Sequence, residues 1–178
     1  MRRKYFVVAS CVLTFSILAA AQGQSDKSKR PSPPGTASVA LNGKKITIDY
    51  SRPFLKGRKI GSEIVPYGKV WRTGANEATA LSTEADLDVA GTSVPAGKYT
   101  IYTLPSENSW KLIINKQTGQ WGTEYDESKD LARIDLQKSQ LQQPVEQFTI
   151  SFDKKGNDAT ELVLEWGTTK LTAPIKAK

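Results

Sequence analysis

Alternation of apolar and polar residues dominates this chain, and that pattern is typical of strands with one buried face. The clearest example surrounds Asn42-Gly43, a dipeptide that suits a type I′ turn because both central residues of that turn need positive φ. The flanking alternation predicts a hairpin that pairs Val39 with Ile46 and Ala37 with Ile48. Segments of this kind fold by stacking sheets on their apolar faces.

Period two continues through most of the remaining sequence. The predicted strands are marked by Leu81, Ala85, Leu87 and Val89; Tyr99 to Leu104; Trp110, Leu112 and Ile114; Phe148, Ile150 and Phe152; Leu162, Leu164 and Trp166; and Leu171, Ala173 and Ile175. Gly167 marks a bend or bulge between the last two. Trp110 and Trp166 lie at apolar positions of their strands, so we expect both in the core.

Residues 126–143 fit two patterns, because their apolar residues match both helical spacing and alternation. A short turn followed by a strand is favoured over a helix. The total is about nine strands with short connections and no strand–helix–strand alternation. We therefore predict an all-β fold, a single-domain antiparallel β-sandwich of jelly-roll type, with a closed β-barrel as the alternative.

The N-terminus has the pattern of a targeting segment. Residues 1–21 combine three basic residues with an apolar stretch that ends in three alanines, which predicts a signal peptide cleaved near Ala21. A retained anchor and lipidation at Cys11 are the alternatives. We expect residues 22–36 to form a flexible lead-in, residues 37–178 to form the domain, and the protein to be exported, either periplasmic or secreted.

Composition excludes several chemistries. The chain has no histidine, so it has neither a Ser-His-Asp triad nor an imidazole metal ligand. Its one cysteine lies in the predicted leader, which excludes a disulfide or thiol chemistry in the mature chain. Loss of the three basic leader residues lowers the formal net charge from +7 to +4. With no nucleic-acid motif, we predict no nucleic acid as partner, and no membrane span after cleavage.

One long segment, residues 51–79, has no strand or helix period, and long irregular connections tend to be functional. It concentrates six basic residues against two acidic ones, interleaved with Phe54, Tyr67 and Trp71. Guanidinium groups beside aromatic rings suit carboxylate, phosphate or sugar ligands. Its glycines match no nucleotide-binding loop.

The same segment also has a structural interpretation, and that interpretation is favoured. In it, apolar residues close the end of the core while Arg72 pairs with Glu77. The closing residues would be Phe54, Ile60, Val65, Val70 and Trp71.

Several motifs in and after this segment are found together in one family. They are Tyr50-Ser51-Arg52-Pro53, Lys56-Gly57-Arg58, residues 65–79 (VPYGKVWRTGANEAT), residues 95–99, residues 113–116 and Gln120-Trp121-Gly122. The chain closely resembles, from about Pro34 to Ile175, the bacterial family called domain of unknown function 2911. The resemblance implies export and one compact domain, with no assigned activity. One departure is Gly61-Ser62, where the family tends to have an aromatic residue.

Carboxylates, lysines and tyrosines are the acids and bases available for catalysis. Glu77 is the weak catalytic candidate, with Asp126 or Glu124 as partner in a glycosidase-like pair, and a salt bridge is its structural alternative. Asp86 and Asp88 suit either a calcium site or, as we expect, a solvated strand face. We predict no cofactor and no metal.

Three functions are compatible with this sequence. The first is a non-catalytic binding module for a small polar, anionic or sugar-like ligand, or an envelope partner; the others are a carboxylate-dependent hydrolase and a structural accessory domain. Trp121 is open to ligand stacking, although burial is expected. The predicted ligand-binding residues are chosen by their position in the family's motifs, with Tyr67 added from the irregular segment, and the resemblance assigns none of them a role. They are Arg52, Arg58, Tyr67, Trp71, Arg72, Asn76, Glu77, Asn115, Trp121 and Tyr125. Five of them form the test set, and their convergence on one open concavity would favour the first two functions, whereas burial and mutual pairing would favour the third: Arg52, Arg72, Asn76, Glu77 and Trp121.

Overall fold

The computed structural model describes residues 26–178, and within them the fold is built from strands and two short 3-10 turns. The strands are β1 (Pro34–Leu41), β2 (Lys44–Ser51), β3 (Ile60–Gly61), β4 (Ile64–Pro66), β5 (Thr79–Thr83), β6 (Leu87–Val89), β7 (Thr92–Val94), β8 (Gly97–Pro105), β9 (Trp110–Asn115), β10 (Asp130–Lys154) and β11 (Ala159–Ala177). The 3-10 turns are Lys27–Lys29 and Glu127–Lys129.

Nine of these strands form one antiparallel sheet, in the order β1-β2-β5-β8-β9-β10-β11-β6-β7. Strand β10 is 25 residues long and belongs to two layers. Its first part pairs with β9, and from Gln137 onward it pairs with β11. The sheet therefore turns over along β10 and packs on itself as a sandwich. Among the described residues its end strands, β1 and β7, are not paired with each other, so the sheet is not closed into a barrel.

The predicted N-terminal hairpin is confirmed in its register. Strand β1 pairs with β2 through Val39–Ile46 and Ala37–Ile48. Asn42 and Gly43 both have positive φ, 49° and 76°, as a type I′ turn requires. The alternation therefore determined which face of this hairpin enters the core.

The core lies between the two layers and is lined by the predicted apolar positions. Ile48 and Leu112 from one layer, and Phe148 and Leu162 from the other, are each at most 2% exposed. Burial of each such side chain contributes on the order of 2 kcal/mol. Trp110 and Trp166 are also buried, as predicted. Polar contacts connect the layers as well, since the Tyr50 hydroxyl donates to the carbonyl of Ile150 and accepts from its N–H.

The prediction of one strand from Leu81 to Val89 is wrong. Strand β5 ends at Thr83, and β6 begins at Leu87 in the other layer. Between them the Thr83 hydroxyl donates to the carbonyl of Ala85 and accepts from its N–H, which fixes a tight turn. The apolar alternation continues unbroken across that turn, so the sequence pattern did not show it.

The ambiguous residues 126–143 form a turn and then a strand, as favoured, and the helix alternative is wrong. Asp126 caps the 3-10 turn Glu127–Lys129, and β10 follows at once. Strand β11 runs through the segments predicted as the last two strands, with Gly167 at φ 58° where the register shifts. That shift confirms the predicted irregularity.

The predicted signal peptide and Cys11 lie outside the described residues. Part of the predicted lead-in is placed: it forms the turn Lys27–Lys29, and β1 begins at Pro34, three residues before the predicted domain start. The Arg52 N–H holds the chain there by donating to the carbonyl of Pro33, at 2.8 Å. Among residues 26–178, no helix has the length and apolar character needed to cross a membrane.

Candidate functional site

Trp71 closes one end of the core, as the structural interpretation of the long segment predicted. Its backbone N–H and carbonyl exchange hydrogen bonds with Thr103. Its indole stacks on Trp166, with ring centroids 5.5 Å apart, and packs edge-on against Phe148 and Trp110. The ring is therefore a packing element and is not presented to a ligand.

Two other residues of the long segment share this role. Val65 is 4% exposed, and Ile60 packs against the same cluster. Phe54 and Val70, which were also expected to close the core, lie outside that cluster. Three of the five predicted residues therefore close the end of the core: Ile60, Val65 and Trp71.

Arg52 also serves the fold. Its Nε donates to the carbonyl of Phe148 at 3.2 Å, and its Nη2 donates to the Thr149 hydroxyl at 2.9 Å. Both acceptors lie on β10, in the opposite layer. The guanidinium thus joins the two layers next to Pro53.

Asn115 and Tyr125 hold the loop between β9 and β10. Asn115 is fully buried, and its Nδ2 donates to the carbonyl of Asp126 and to Asp130 Oδ1, at 2.9 and 2.8 Å. The Tyr125 hydroxyl donates to Asp130 Oδ2 at 2.6 Å and accepts from Arg133. Burial, helped by the bond to the Asp130 carboxylate, raises the pKa of Tyr125 to about 12. These side chains are partnered within the loop.

Arg72 does not pair with Glu77, so that expectation is wrong. Its side chain is half-buried, its Nε donates to the carbonyl of Gly74 at 3.3 Å, and its aliphatic part lies directly against Gly122. Burial lowers its pKa, although the guanidinium stays charged at any ordinary pH. No carboxylate of residues 26–178 lies within ion-pair distance of it.

Glu77 is paired with the basic lead-in. Its carboxylate oxygens accept from Arg30 Nη1 at 2.8 and 2.9 Å, and Lys27 Nζ lies 3.1 Å from Oε1. The Arg30 hydrogen bond, followed by backbone and Lys27 contributions, lowers the pKa of Glu77 to about 2. The salt-bridge alternative was thus right in kind, with a different partner.

The two acidic groups proposed as partners of Glu77 have other surroundings. The Asp126 carboxylate accepts from the N–H and hydroxyl of Ser128, and these bonds lower its pKa. Glu124 contributes its carbonyl, which accepts from the Tyr102 hydroxyl. A glycosidase acid needs a raised pKa, and the carboxyls of Glu77 and Asp126 are shifted the opposite way.

Trp121 is 47% exposed, so its expected burial is wrong and its openness to a ligand stands. It pairs with Glu77 across a short antiparallel bridge. Asn76 supports that bridge, because its carbonyl accepts from the Gly122 N–H at 3.0 Å and its Nδ2 donates to Ser51 Oγ and the Ser32 carbonyl.

The five residues singled out for the convergence test do not line one concavity. A cavity of about 300 Å³ beside β2 and β5 is lined by Glu77, Lys27 and Arg30, and the other four residues of the test set are not part of its lining. Those four are Arg52, Arg72, Asn76 and Trp121. Pairing within the fold accounts for Arg52 and Asn76, which favours a structural role for them.

Arg58 and Tyr67 do line an open cleft, of about 430 Å³. Its other lining residues were not predicted as site residues; some are neighbours of Arg58 in the long segment, and the rest come from β10 and β11. They are Leu55, Lys59, Ile60, Lys138, Gln140, Gly167, Thr168 and Thr169. The cleft forms where the long segment crosses the bend of β10 and β11, and the sequence did not show that these two parts of the chain meet.

The carboxylates of Asp86 and Asp88 accept hydrogen bonds from backbone N–H groups. Asp86 Oδ1 accepts from Ala96, and Asp88 Oδ1 accepts from Gly91, each at 2.7 Å. These bonds fix the two turns that flank β7. Within residues 26–178, no cluster of three or more acidic or cysteine side chains could hold a metal ion.

Comparison with known families agrees with the resemblance of the motifs. The model of the family described as "Protein of unknown function (DUF2911)" matches residues 32–175. The chain belongs to this family. No curated protein and no solved structure matches it.

In this DUF2911 chain the signature run 65–79 divides into positions with different roles. Val65, Trp71 and Thr79 are buried or pack into the core. Tyr67 lines the cleft that it shares with Arg58, and Glu77 faces the lead-in. A motif specific to the family thus combines packing with two separate surfaces.

Proposed function

We propose that this DUF2911 domain is a non-catalytic binding module for a small anionic ligand that carries hydroxyl groups, such as an acidic sugar. The site is the cleft of about 430 Å³ between the long segment and the bend of β10 and β11, here called the basic cleft. One observation carries the proposal. Arg58, Lys59 and Lys138 line this cleft, and no carboxylate is among its lining residues.

Arg58 is held ready for an anion. Its Nε donates to the carbonyl of Leu55 at 2.9 Å, and its Nη2 donates to the carbonyl of Phe54 at 2.7 Å. Both acceptors are neutral, so the guanidinium keeps its charge while its position is fixed. A pre-positioned cation loses less entropy when it binds, which favours affinity.

The two lysines add positive charge to the same space. Lys138 Nζ donates to the carbonyl of Glu107, again a neutral acceptor. The Glu63 carboxylate accepts from the backbone N–H of Lys59 and does not line the cleft. Like charges gathered in a concave surface raise the local concentration of anions.

Polar and aromatic groups complete the basic cleft. Gln140, Thr168 and Thr169 offer an amide and two hydroxyls, which are the groups that orient a hydroxylated ligand. Tyr67 is 40% exposed, and its ring lies directly over Gly61. A side chain at position 61 would collide with that ring, since even a Cβ would come within 2.4 Å of it.

Gly61, where the chain departs from the family pattern, lies against the ring of Tyr67, a residue of the signature run 65–79. Such a ring beside cations suits the flat face of a sugar.

Predicted export is part of the proposal and rests on residues 1–21 of the sequence. The ligand would then be met outside the cytoplasm, in the periplasm or in the medium. The N-terminal residue of the protein recovered from the native host, determined by mass spectrometry, tests this. Cleavage near Ala21 is expected, and an intact Met1 would contradict it.

Isothermal titration calorimetry with glucuronate, glucose 6-phosphate, glucose and inorganic phosphate tests the binding site. We expect the two anionic sugars to bind more tightly than glucose or phosphate, because they use both the cations and the polar groups. The double variant Arg58→Gln/Lys59→Gln should weaken that binding by about tenfold or more, since a hydrogen bond to a charged group contributes about 1.5–3 kcal/mol.

The matched control is Lys44→Gln/Lys98→Gln, which removes the same charge from two exposed residues outside the basic cleft. This control should bind like the native protein. The proposal fails if neither anionic sugar binds, or if both double variants lose affinity equally, because net charge alone would then explain the result.

A further inference from the structure

A second surface, separate from the basic cleft, is formed by Glu77 and Trp121. The Ala78 N–H donates to the carbonyl of Gln120 at 3.2 Å, and the Gly122 N–H donates to the carbonyl of Asn76 at 3.0 Å. These bonds flank the bridge between Glu77 and Trp121, which makes that pair the close, non-hydrogen-bonded kind. Opposite residues of such a pair present their side chains on the same face, in contact distance.

The chemistry of this face suits a cation. A carboxylate and an exposed indole stand side by side, and both attract guanidinium and ammonium groups. Trp121 is 47% exposed, and the Glu77 side chain is 40% exposed. The face is therefore open to a partner from solution.

The chain's own lead-in shows how the face is used. Arg30 Nη1 donates to both oxygens of Glu77, and Lys27 adds a second cation. The backbone of the same segment is also held, because Asn76 Nδ2 donates to the carbonyl of Ser32 at 3.2 Å. The surface thus contacts an arginine side chain and the carbonyl two residues after it.

We propose that Glu77, Trp121 and Asn76 form a docking site for an extended basic peptide segment of a partner protein, and that Arg30 occupies it in cis as a competitor. The cis contact is displaceable, since exposed ion pairs are weak. A cavity of about 300 Å³ remains between the lead-in and the sheet, so the segment is not packed down along its length. The lead-in therefore lowers the apparent affinity for a partner without closing the site.

Peptide binding to the full mature chain tests the proposal. The probe is the acetylated and amidated peptide Lys-Ser-Lys-Arg-Pro-Ser-Pro, the sequence of residues 27–33. Binding is measured by isothermal titration calorimetry and, in chains that keep Trp121, also by its indole N–H signal in NMR spectra. The variant Arg30→Gln should bind the peptide several-fold more tightly than the native chain, because it removes a tethered competitor present at high effective concentration.

Matched controls separate docking from general charge effects. Lys29→Gln removes the same charge from the same segment, and Lys29 lies near Asp26 rather than Glu77, so this variant should bind like the native chain. A probe with glutamine in place of its arginine should not bind. Glu77→Gln/Arg30→Gln should abolish binding, and Trp121→Ala/Arg30→Gln should weaken it several-fold.

The proposal is overturned if Arg30→Gln gains no affinity over the native chain, or if Glu77→Gln/Arg30→Gln binds as tightly as Arg30→Gln. Thermal unfolding of each variant shows that it is folded before the peptide is added. Two independent substitutions, at Glu77 and at Trp121, keep the test decisive if one of them perturbs the loop.

Discussion

The two halves of the long segment between β2 and β5 contrast sharply. In residues 54–69 the basic side chains of Arg58 and Lys59 face the basic cleft, and no carboxylate lines that cleft. In residues 71–79 the indole of Trp71 is packed and the carboxylate of Glu77 is ion-paired. The packed ring and the paired carboxylate are held within the fold, whereas the cations of the cleft face no carboxylate in its lining, and our proposal of a ligand rests on this contrast. A family motif by itself does not distinguish the two.

Removal of the packed ring of Trp71 should have the largest effect on stability. Trp71→Ala should destabilise the protein by about 3 kcal/mol or more, because it leaves a cavity between Trp110, Phe148 and Trp166. The free energy of unfolding in urea measures this. Trp121→Ala, at the exposed ring, is the matched control and should change stability by less than about 0.5 kcal/mol. Equal losses of stability in the two variants would show that both rings contribute to packing to the same extent.

The packing beneath the 71–79 half is tested at Gly122. A Cβ there would lie 2.6 Å from Arg72 Cδ and 2.7 Å from the carbonyl oxygen of Asn76, and relief of the second contact requires the backbone to shift. Gly122→Ala should therefore cost about 1–3 kcal/mol in urea unfolding. Gly156→Ala is the control, since its nearest new contact is at 3.8 Å, and it should be nearly neutral. A neutral Gly122→Ala would show that this loop adapts freely.

The ion pair at Glu77 gives a smaller effect with a defined pH dependence. The pKa of Glu77 is about 2 in the folded protein against its ordinary value of 4.5, so folding favours the ionised form. Its stabilisation is complete above about pH 4.5 and is lost as the pH falls towards 2. Because the side chain is 40% exposed, solvent screening keeps the contribution below about 1 kcal/mol.

Urea midpoints at pH 3 and pH 6 measure this contribution. Arg30→Gln should flatten the difference between the two midpoints, whereas Lys29→Gln should leave it unchanged. Added salt should reduce it in the native protein, since exposed charges are screened. An unchanged pH profile in Arg30→Gln would assign the shift to groups other than Arg30.

The smallest expected change in stability is in the basic cleft. Lys59→Gln and Lys138→Gln should each alter the free energy of unfolding by less than about 0.5 kcal/mol, because neither ammonium group has a carboxylate partner among the residues that line the cleft. The same variants should weaken binding of glucuronate. A stability loss above about 1 kcal/mol, without any change in binding, would show that these lysines support the fold and do not bind the ligand.

Much of the fold could be predicted because it depends on local patterns. Alternation gave the register of β1 and β2 residue by residue, and it placed Trp110 and Trp166 in the core. The pattern failed at Thr83 to Leu87, because alternation does not record a turn that preserves parity between layers.

Less of the site could be predicted. Arg58 and Tyr67 were identified from the composition of their segment, but Lys138, Gln140 and Thr168 reach the same cleft from strands far along the chain. Nothing local to those residues marks them. Arg30 was likewise assigned to a lead-in with no expected contact, and its partner, Glu77, lies 47 residues away.

Residue type and near neighbours were enough to predict most of the strands, the turn at Asn42-Gly43, the family and the exclusion of histidine chemistry. Which charges found partners depended on the tertiary structure. Ion pairing and burial are properties of positions in space, and the doubling over of one long sheet along β10 brings together residues that the chain keeps apart.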